Sequence, residues 1–324
     1  MPRLTTLRDL GASRAGGDLP WPQARIITHG FVAGGYKDSS PWRNVNRTNH
    51  STDITTNLGD KMSEAASYSD GANSDLYFYV YAIANAFMGS SATTWSMNMT
   101  NEASRGGATA SWNMTVSRND LGTMVDYEHA GAKVYIVGGG NAATDRFDLK
   151  TETMATSAQR PQNSATSNDF TATSEGRFRG WHKTGSTAQS FTWSTETYAS
   201  WTTSPGSDGW GKALSSYKGY SYMKNGGNLN ATLVKYNDDT GAQISSFGVQ
   251  NAGEENYQSG ANKGYCLGHY NGAQNNNTYK VSYVNDVAND LSSTPGGNAG
   301  MSSASLASAY SITNATYGTT APNY

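Results

Sequence analysis

The sequence predicts an all-β protein built from a repeated sheet unit, and three observations support this. An acidic residue that follows a small polar or acidic residue recurs at intervals of 43 to 50 residues. Segments with alternating apolar positions, typical of strands, lie between these acids. The composition, with 36 Gly, 20 Tyr and only 15% charged residues, is typical of short strands joined by tight turns. A period of about 40–50 residues with this composition predicts the blades of a closed β-propeller.

The recurring acid is expected to end the middle strand of each unit. A carboxylate that recurs once per unit is spread around a ring by symmetry, so the six acids are not expected to form a catalytic pair. Their expected role is to accept hydrogen bonds from the amides of the turn that follows. The six dipeptides are Thr52-Asp53, Asn101-Glu102, Thr151-Glu152, Thr195-Glu196, Asp238-Asp239 and Asn285-Asp286.

An apolar or aromatic strand opens each unit and is predicted to be the innermost strand of its blade. These six strands are predicted at residues 30–36, 76–83, 133–139, 177–183, 220–226 and 265–271. The segments 68–73 and 257–262 have nearly the same residues and precede two of these strands. We expect them to be turns that join consecutive blades.

The two ends of the repeat array are expected to meet. Segment 309–318 is similar to an outer strand and joint, and the chain ends where a seventh inner strand would begin. The strand at 30–36 can fill that place, which predicts one closed domain over residues 28–324. Six blades are predicted, with seven as the alternative.

Residues 1–27 lie outside the repeat and are predicted to form an extended N-terminal arm. Basic and aromatic side chains in this arm are candidate contacts for assembly with other proteins. They are Arg3, Arg8, Arg14 and Trp21.

The charge and hydropathy of the sequence also exclude some classes of binding partner. A net charge of −2 gives no basic footprint for nucleic acid. No apolar run approaches the length of a membrane helix, and the first residues lack the apolar core of a secretory signal. We therefore expect synthesis in a cytoplasm, with no membrane or nucleic-acid partner. Cys266 is the single cysteine, so no internal disulfide is possible, and we expect it to be a small buried side chain.

Motifs for catalysis and cofactors are weak. Gly138, Gly140 and Ala143 match a dinucleotide-binding pattern, but an alternating strand follows where that motif needs a helix. His182 and His269 occupy the same strand of two units, whereas a metal site needs three or four converging ligands. The sequence contains no serine in a nucleophile elbow. We predict no catalytic residue, no metal and no cofactor.

With the repeat laid out, the chain resembles the kelch-like propellers among the virion structural proteins of tailed bacteriophages, notably marine cyanophages. The segments that carry the resemblance are 10–17 (LGASRAGG), 30–60 and the repeated inner strands with their glycine pairs. The second unit lacks a glycine pair, and the fourth has Gly180-Trp181 instead. The resemblance implies a building block of the tail, neck or host-contacting fibres, with no catalytic residues. Eukaryotic kelch adaptors, which recruit protein partners, share the blade.

Three functions follow from these observations. The leading hypothesis is a non-enzymatic virion protein, docked on tail, neck or fibre components. The second is a module that binds a host-surface glycan through exposed aromatic side chains, with Trp42 and Trp210 as candidates. Packing between blades is the competing explanation for the tryptophans, including Trp193 and Trp201. The third is a propeller glycosidase or lyase, which needs a cluster of carboxylates at the axis.

Overall fold

The computed structural model shows an all-β chain in which every regular element among the described residues is a strand. Apart from a short hairpin of β2 (Tyr36–Lys37) and β3 (Ser40–Pro41), the strands form six four-stranded antiparallel sheets. The structure describes residues 27–34, 36–37, 40–41, 43–65, 70–73, 77–81, 91–99, 101–106, 112–118, 121–126, 133–138, 144–156, 171–175, 179–184, 187–202, 213–216, 220–225, 232–237, 239–248, 254–259, 263–270, 274–290 and 311–312.

Sheets 1 to 3 come mainly from the first half of the chain. From one edge to the other, sheet 1 contains β26 (Ser311–Ile312), β1 (Ile27–Ala33), β4 (Asn44–Asn49) and β5 (Ile54–Asp60). Sheet 2 contains, in the same sense, β6 (Asp70–Asn73), β7 (Tyr77–Tyr81), β8 (Thr94–Asn98) and β9 (Ser104–Gly106). Sheet 3 contains β10 (Leu121–Asp126), β11 (Lys133–Gly138), β12 (Asp145–Asp148) and β13 (Thr153–Thr156).

Sheets 4 to 6 repeat this order along the chain. Sheet 4 contains β14 (Thr171–Glu175), β15 (Arg179–Thr184), β16 (Thr187–Thr192) and β17 (Thr197–Ser200). Sheet 5 contains β18 (Ala213–Ser216), β19 (Tyr220–Asn225), β20 (Thr232–Asn237) and β21 (Gln243–Gly248). Sheet 6 contains β22 (Glu254–Ser259), β23 (Lys263–Tyr270), β24 (Gln274–Ser282) and β25 (Val287–Asp290).

Sheet 1 is assembled from both ends of the described chain. β26 pairs with β1, with Ile27 opposite Ile312 and His29 opposite Ser311. The last strand therefore occupies the place that the first strand of the unit fills in the other five sheets. The meeting of the two ends that the sequence predicts is present in this pairing.

The predicted inner strands overlap β1, β7, β11, β15, β19 and β23, and each of these is the second strand of its sheet. The segments 68–73 and 257–262, predicted as turns, instead overlap β6 and the end of β22, the first strands of sheets 2 and 6. The turn prediction was wrong because residues typical of turns hydrogen-bond to an apolar neighbouring strand, with Gly71 opposite Val80. Neighbouring sheets contact one another largely through these first strands, where Thr123 Oγ1 donates to the Gly71 carbonyl at 2.7 Å.

The core lies between consecutive sheets. Phe31 and Val45 of sheet 1 pack in one cluster with Trp95 of sheet 2. Other clusters join sheets 2 and 3, sheets 3 and 4, and sheets 4 and 5. Trp193 and Trp201 are buried in the last two of these clusters. For these two tryptophans the packing interpretation is confirmed.

Candidate functional site

The third strand of each sheet ends in a five-residue turn, and in sheets 1, 2, 3 and 5 the first side chain of the turn caps it. Asn49 Oδ1 accepts hydrogen bonds from the amides of Ser51 and Thr52, at 2.8 and 3.2 Å. Asp148 Oδ1 caps its turn in the same way, with two bonds of 2.9 Å. The sequence prediction assigned this role to the acid four residues later. That assignment was wrong, because the capping residue lies at the strand end.

The fifth residue of the turn has a positive φ angle in every sheet. Such a backbone is uncommon for residues other than glycine, with Asn and Asp among the exceptions. The six residues, with their φ angles, are Asp53 (60°), Glu102 (57°), Glu152 (53°), Glu196 (51°), Gly241 (69°) and Asp286 (54°).

In sheet 5 the equivalent of the acid is Gly241, and the predicted residue, Asp239, lies two positions earlier. The Gly241 amide donates to the Asn237 carbonyl at 2.7 Å, as the Asp53 amide donates to the Asn49 carbonyl at 2.9 Å. Asp239 is exposed. The prediction failed because it searched for an acid, whereas the feature that all six turns share is the backbone conformation.

Each acid at this position binds a cation of the preceding sheet, and three of the acids also bind a tyrosine there. Glu196 accepts hydrogen bonds from Tyr135 Oη and Arg146 Nη1, both at 3.0 Å, and from Lys133 Nζ at 3.3 Å. Tyr135 and Arg146 stand opposite each other on β11 and β12. We call such a group, an acid with the donors of the preceding sheet, a carboxylate clasp.

A clasp of the same kind joins Asp53 of sheet 1 to donors of sheet 6. Asp53 accepts from Tyr265 Oη at 2.5 Å, from Lys280 Nζ at 2.6 Å and also from Lys263 Nζ. Tyr265 and Lys280 stand opposite each other on β23 and β24, as Tyr135 and Arg146 do in sheet 3. This contact joins residues more than 200 positions apart in the sequence.

The other three clasps have different sets of donors. Glu152 accepts from Tyr79 Oη at 2.6 Å and from Arg105, which stands opposite Ser96 on the neighbouring strand. The Arg47–Glu102 pair joins sheets 1 and 2 at 2.5 Å, and the Lys235–Asp286 pair joins sheets 5 and 6 at 2.8 Å. Among the described residues, five of the six contacts between neighbouring sheets thus contain a clasp.

The contact between sheets 4 and 5 replaces both halves of the clasp. Trp181 takes the register position of Tyr135, and the residue opposite it is Ser190 rather than a cation. Trp201 Nε1 donates to the Gly241 carbonyl at 2.9 Å, and a Cβ at Gly241 would lie 2.6 Å from Trp181 Cζ3. Aromatic packing here takes the place of charge.

Three of the clasps lower the pKa of their carboxylate. Burial alone would raise the pKa of Asp53, but hydrogen bonds from Lys263, Lys280 and Tyr265 outweigh it and lower the pKa. The pKa values of Glu152 and Glu196 are lowered by the same balance. A lowered carboxylate pKa means that the stabilisation is present above the ordinary pKa, near 4, and is lost as the pH falls. The clasps therefore hold the sheets at neutral pH.

The site residues predicted from the sequence lie elsewhere. Arg3, Arg8, Arg14, Trp21, Trp42 and Trp210 are outside the described residues, so their roles in assembly or glycan binding stay predictions. His182 is buried in sheet 4, with its pKa lowered by burial to about 4. Within the described ranges, no group of three or more His, Cys, Asp or Glu side chains is arranged to hold a metal ion.

No protein-family model matches the chain, and a search of the curated proteins finds no match either. Among the residues that the structure describes, no helix is long and apolar enough to cross a membrane.

In the sequence, the clasps are indicated only by the regular spacing of their acids. Their donors lie one sheet away, and the strand register is needed to find them.

Replacing Asp53 with asparagine is expected to lower the free energy of unfolding by about 2 kcal/mol, because bonds to two ammonium groups and a phenol lose their charged acceptor. Urea unfolding at pH 7 followed by circular dichroism measures this. Asp239→Asn is the control, since that acid is exposed and we expect a change within about 0.5 kcal/mol. Equal effects of the two substitutions would contradict the role of the clasp.

Proposed function

We propose that the six sheets are the blades of a closed six-bladed β-propeller. The proposal is supported by the chain of contacts that joins each sheet to the next and sheet 6 to sheet 1. It is further supported by β26, which completes sheet 1 from the other end of the chain. A ring closed in this way leaves no interface between blades open to water.

The function we propose for this propeller is that of a non-enzymatic structural component of a tailed bacteriophage virion. The observation that carries the proposal is the ring of contacts, in which the acid of each clasp neutralises donors of the preceding blade. A rigid disc suits a part that holds position in an assembly. The resemblance to kelch-like virion proteins supports the same role. The partners would then be tail, neck or fibre proteins, and synthesis would take place in the host cytoplasm.

In this proposal the N-terminal arm docks the disc on its neighbours, with Arg3, Arg8, Arg14 and Trp21 as contacts. Deleting residues 1–25 is therefore expected to leave a folded protein that is no longer incorporated into particles. The thermal unfolding midpoint of the truncated protein should remain within a few degrees of the full chain, because every described sheet is retained. Mass spectrometry of purified particles measures incorporation.

A second, matched variant keeps the arm but replaces three of its four arginines and its tryptophan, as a chain with Arg3→Ser, Arg8→Ser, Arg14→Ser and Trp21→Ala. Both variants are expected to reduce the copy number per particle at least tenfold. Normal incorporation of the truncated, folded protein would overturn the role of the arm. Absence of the full-length chain from purified particles would overturn the virion function itself.

A further inference from the structure

His50 occupies a position that other sheets fill with apolar or aromatic side chains. It is the second residue of the turn after β4, and the residue is only 7% exposed. The equivalent residues of sheets 2, 3, 4 and 6 are all buried. They are Met99, Leu149, Trp193 and Tyr283. A titratable imidazole has thus been placed in a core position of the contact between sheets 6 and 1.

The imidazole packs on the neighbouring sheet in the same way as its aromatic counterpart. The rings of His50 and Tyr265 stack with centroids 5.0 Å apart and an angle of 25°. Trp193 and Tyr135 stack at 5.5 Å and 18° in the contact between sheets 3 and 4. A neutral imidazole can fill this slot as an aromatic ring, but an imidazolium cannot lose its water there without a large penalty.

The charges around His50 oppose its protonation. Lys263 on β23 and His29 on β1 face it, and both disfavour a further positive charge. Asp53 on its own turn favours protonation, but that carboxylate already binds Lys263 and Lys280. Tyr265 contributes a neutral ring. The carboxylate of this contact is thus already paired with two ammonium groups.

We propose that the contact between sheets 6 and 1 is an acid-sensitive joint, which opens when His50 takes up a proton. β1 contacts β22 of sheet 6 in this joint and also pairs with β26, so the joint lies beside the pairing at which the two ends of the described chain meet. The inference requires only this contact and does not rest on the proposed function.

The direction of the pH dependence follows from the pKa. Burial, Lys263 and His29 lower the pKa of His50 from 6.5 to about 3, against the opposing effect of Asp53. In the open joint the pKa of His50 returns to its ordinary value. The closed joint is therefore fully favoured above about pH 6.5, and its closing equilibrium weakens about tenfold per pH unit below that value. The carboxylates of Asp53, Glu152 and Glu196 have lowered pKa values and keep their charge at pH 5, so these clasps do not contribute to a change between pH 7 and pH 5.

Hydrogen exchange measured by mass spectrometry, with rates corrected for the intrinsic effect of pH, tests the joint in the full chain. Between pH 7 and pH 5 we expect protection of residues 49–60 and 263–270 to fall about 30-fold, while protection of residues 133–138 and 145–156 changes much less. His50→Met and His50→Leu, which introduce the side chains of sheets 2 and 3, should abolish the fall at the joint.

The control is His182→Ile, because His182 is a second buried histidine and Ile136 takes its register position in sheet 3. This variant should keep the response of the joint. A fall of the same size in His50→Met or His50→Leu would overturn the proposal. So would equal loss of protection at the joint and in sheet 3 of the unmodified chain.

Discussion

Replacing Arg118 with methionine is expected to lower the free energy of unfolding by about 3–5 kcal/mol. The side chains of Arg118 and Asp145 are both fully buried, with Nε and Oδ2 3.4 Å apart. Arg118 Nη1 also donates to the Gly138 carbonyl at 2.6 Å. Without the guanidinium, a buried carboxylate would keep only Thr115 as a described hydrogen-bond donor. The cost arises from the charge that remains, rather than from the pair that is lost.

Arg43→Met is the matched control for this substitution. The Arg43–Asp60 pair is shorter, at 3.1 Å, but its side chains are 50% and 55% exposed. Water therefore solvates the Asp60 carboxylate when Arg43 is replaced, and we expect the free energy of unfolding to fall by about 0.5 kcal/mol or less. Urea unfolding of both variants at pH 7 gives the comparison. Similar losses would contradict the argument, because distance alone would then rank the pairs.

The position of Arg118 explains why the pair matters. Its backbone pairs with Ser91, which precedes β8 of sheet 2, and Arg118 itself lies between β9 of sheet 2 and β10 of sheet 3. Asp145 begins β12 of sheet 3. The ion pair therefore holds the segment that connects sheets 2 and 3 against β12 of sheet 3. Loss of Arg118 should loosen this connection before it affects sheets 4 to 6.

Gly241→Ala is expected to destabilise the protein by about 3 kcal/mol. The residue has a φ of +69°, and a side chain in that conformation costs about 1 kcal/mol or more. The new Cβ would also lie 2.6 Å from Trp181 and 2.7 Å from Trp201, so the aromatic contact between sheets 4 and 5 must shift. Overpacking of this kind costs a further 1–3 kcal/mol, roughly.

Three other glycines separate these two effects. Gly59 has a φ of +78° and open space around it, so its alanine variant should lose only about 1 kcal/mol. At Gly180 a Cβ would lie 2.6 Å from Met124 Sδ, with no positive φ, so overpacking alone predicts about 1–3 kcal/mol. Gly248 has neither feature and should change by less than about 0.5 kcal/mol. If Gly241→Ala lost no more free energy of unfolding than Gly59→Ala, the aromatic contact between sheets 4 and 5 would rearrange without cost, and the overpacking argument would be wrong.

The sequence predicted the strands and the period well because both are local. The alternating segment 232–237 is a strand in the structure, and the first four residues of the alternating segment 145–151 are another. The meeting of the chain ends was predictable because segment 309–318 repeats part of a unit. The first strands were missed at 68–73 and 257–262, where glycine and asparagine are typical of turns and only pairing across the sheet makes a strand.

The clasps themselves could not be predicted from one sequence. Asp53 binds Lys263, and these residues become neighbours only through the order of the sheets. The substitution of Gly241 for an acid is meaningful only beside Trp181, which lies 60 positions earlier in the sequence. Recognising such a pair requires the register of both sheets.

Cryo-electron microscopy of purified phage particles, after mass spectrometry has identified the chain in them, tests the central claim most directly. The proposal predicts density for a closed disc of six four-stranded blades at the tail, neck or fibres, with the clasp between Asp53 and Lys263 at the contact of the first and last blades. Intact particles without this chain, or an open array of sheets in the density, would contradict it.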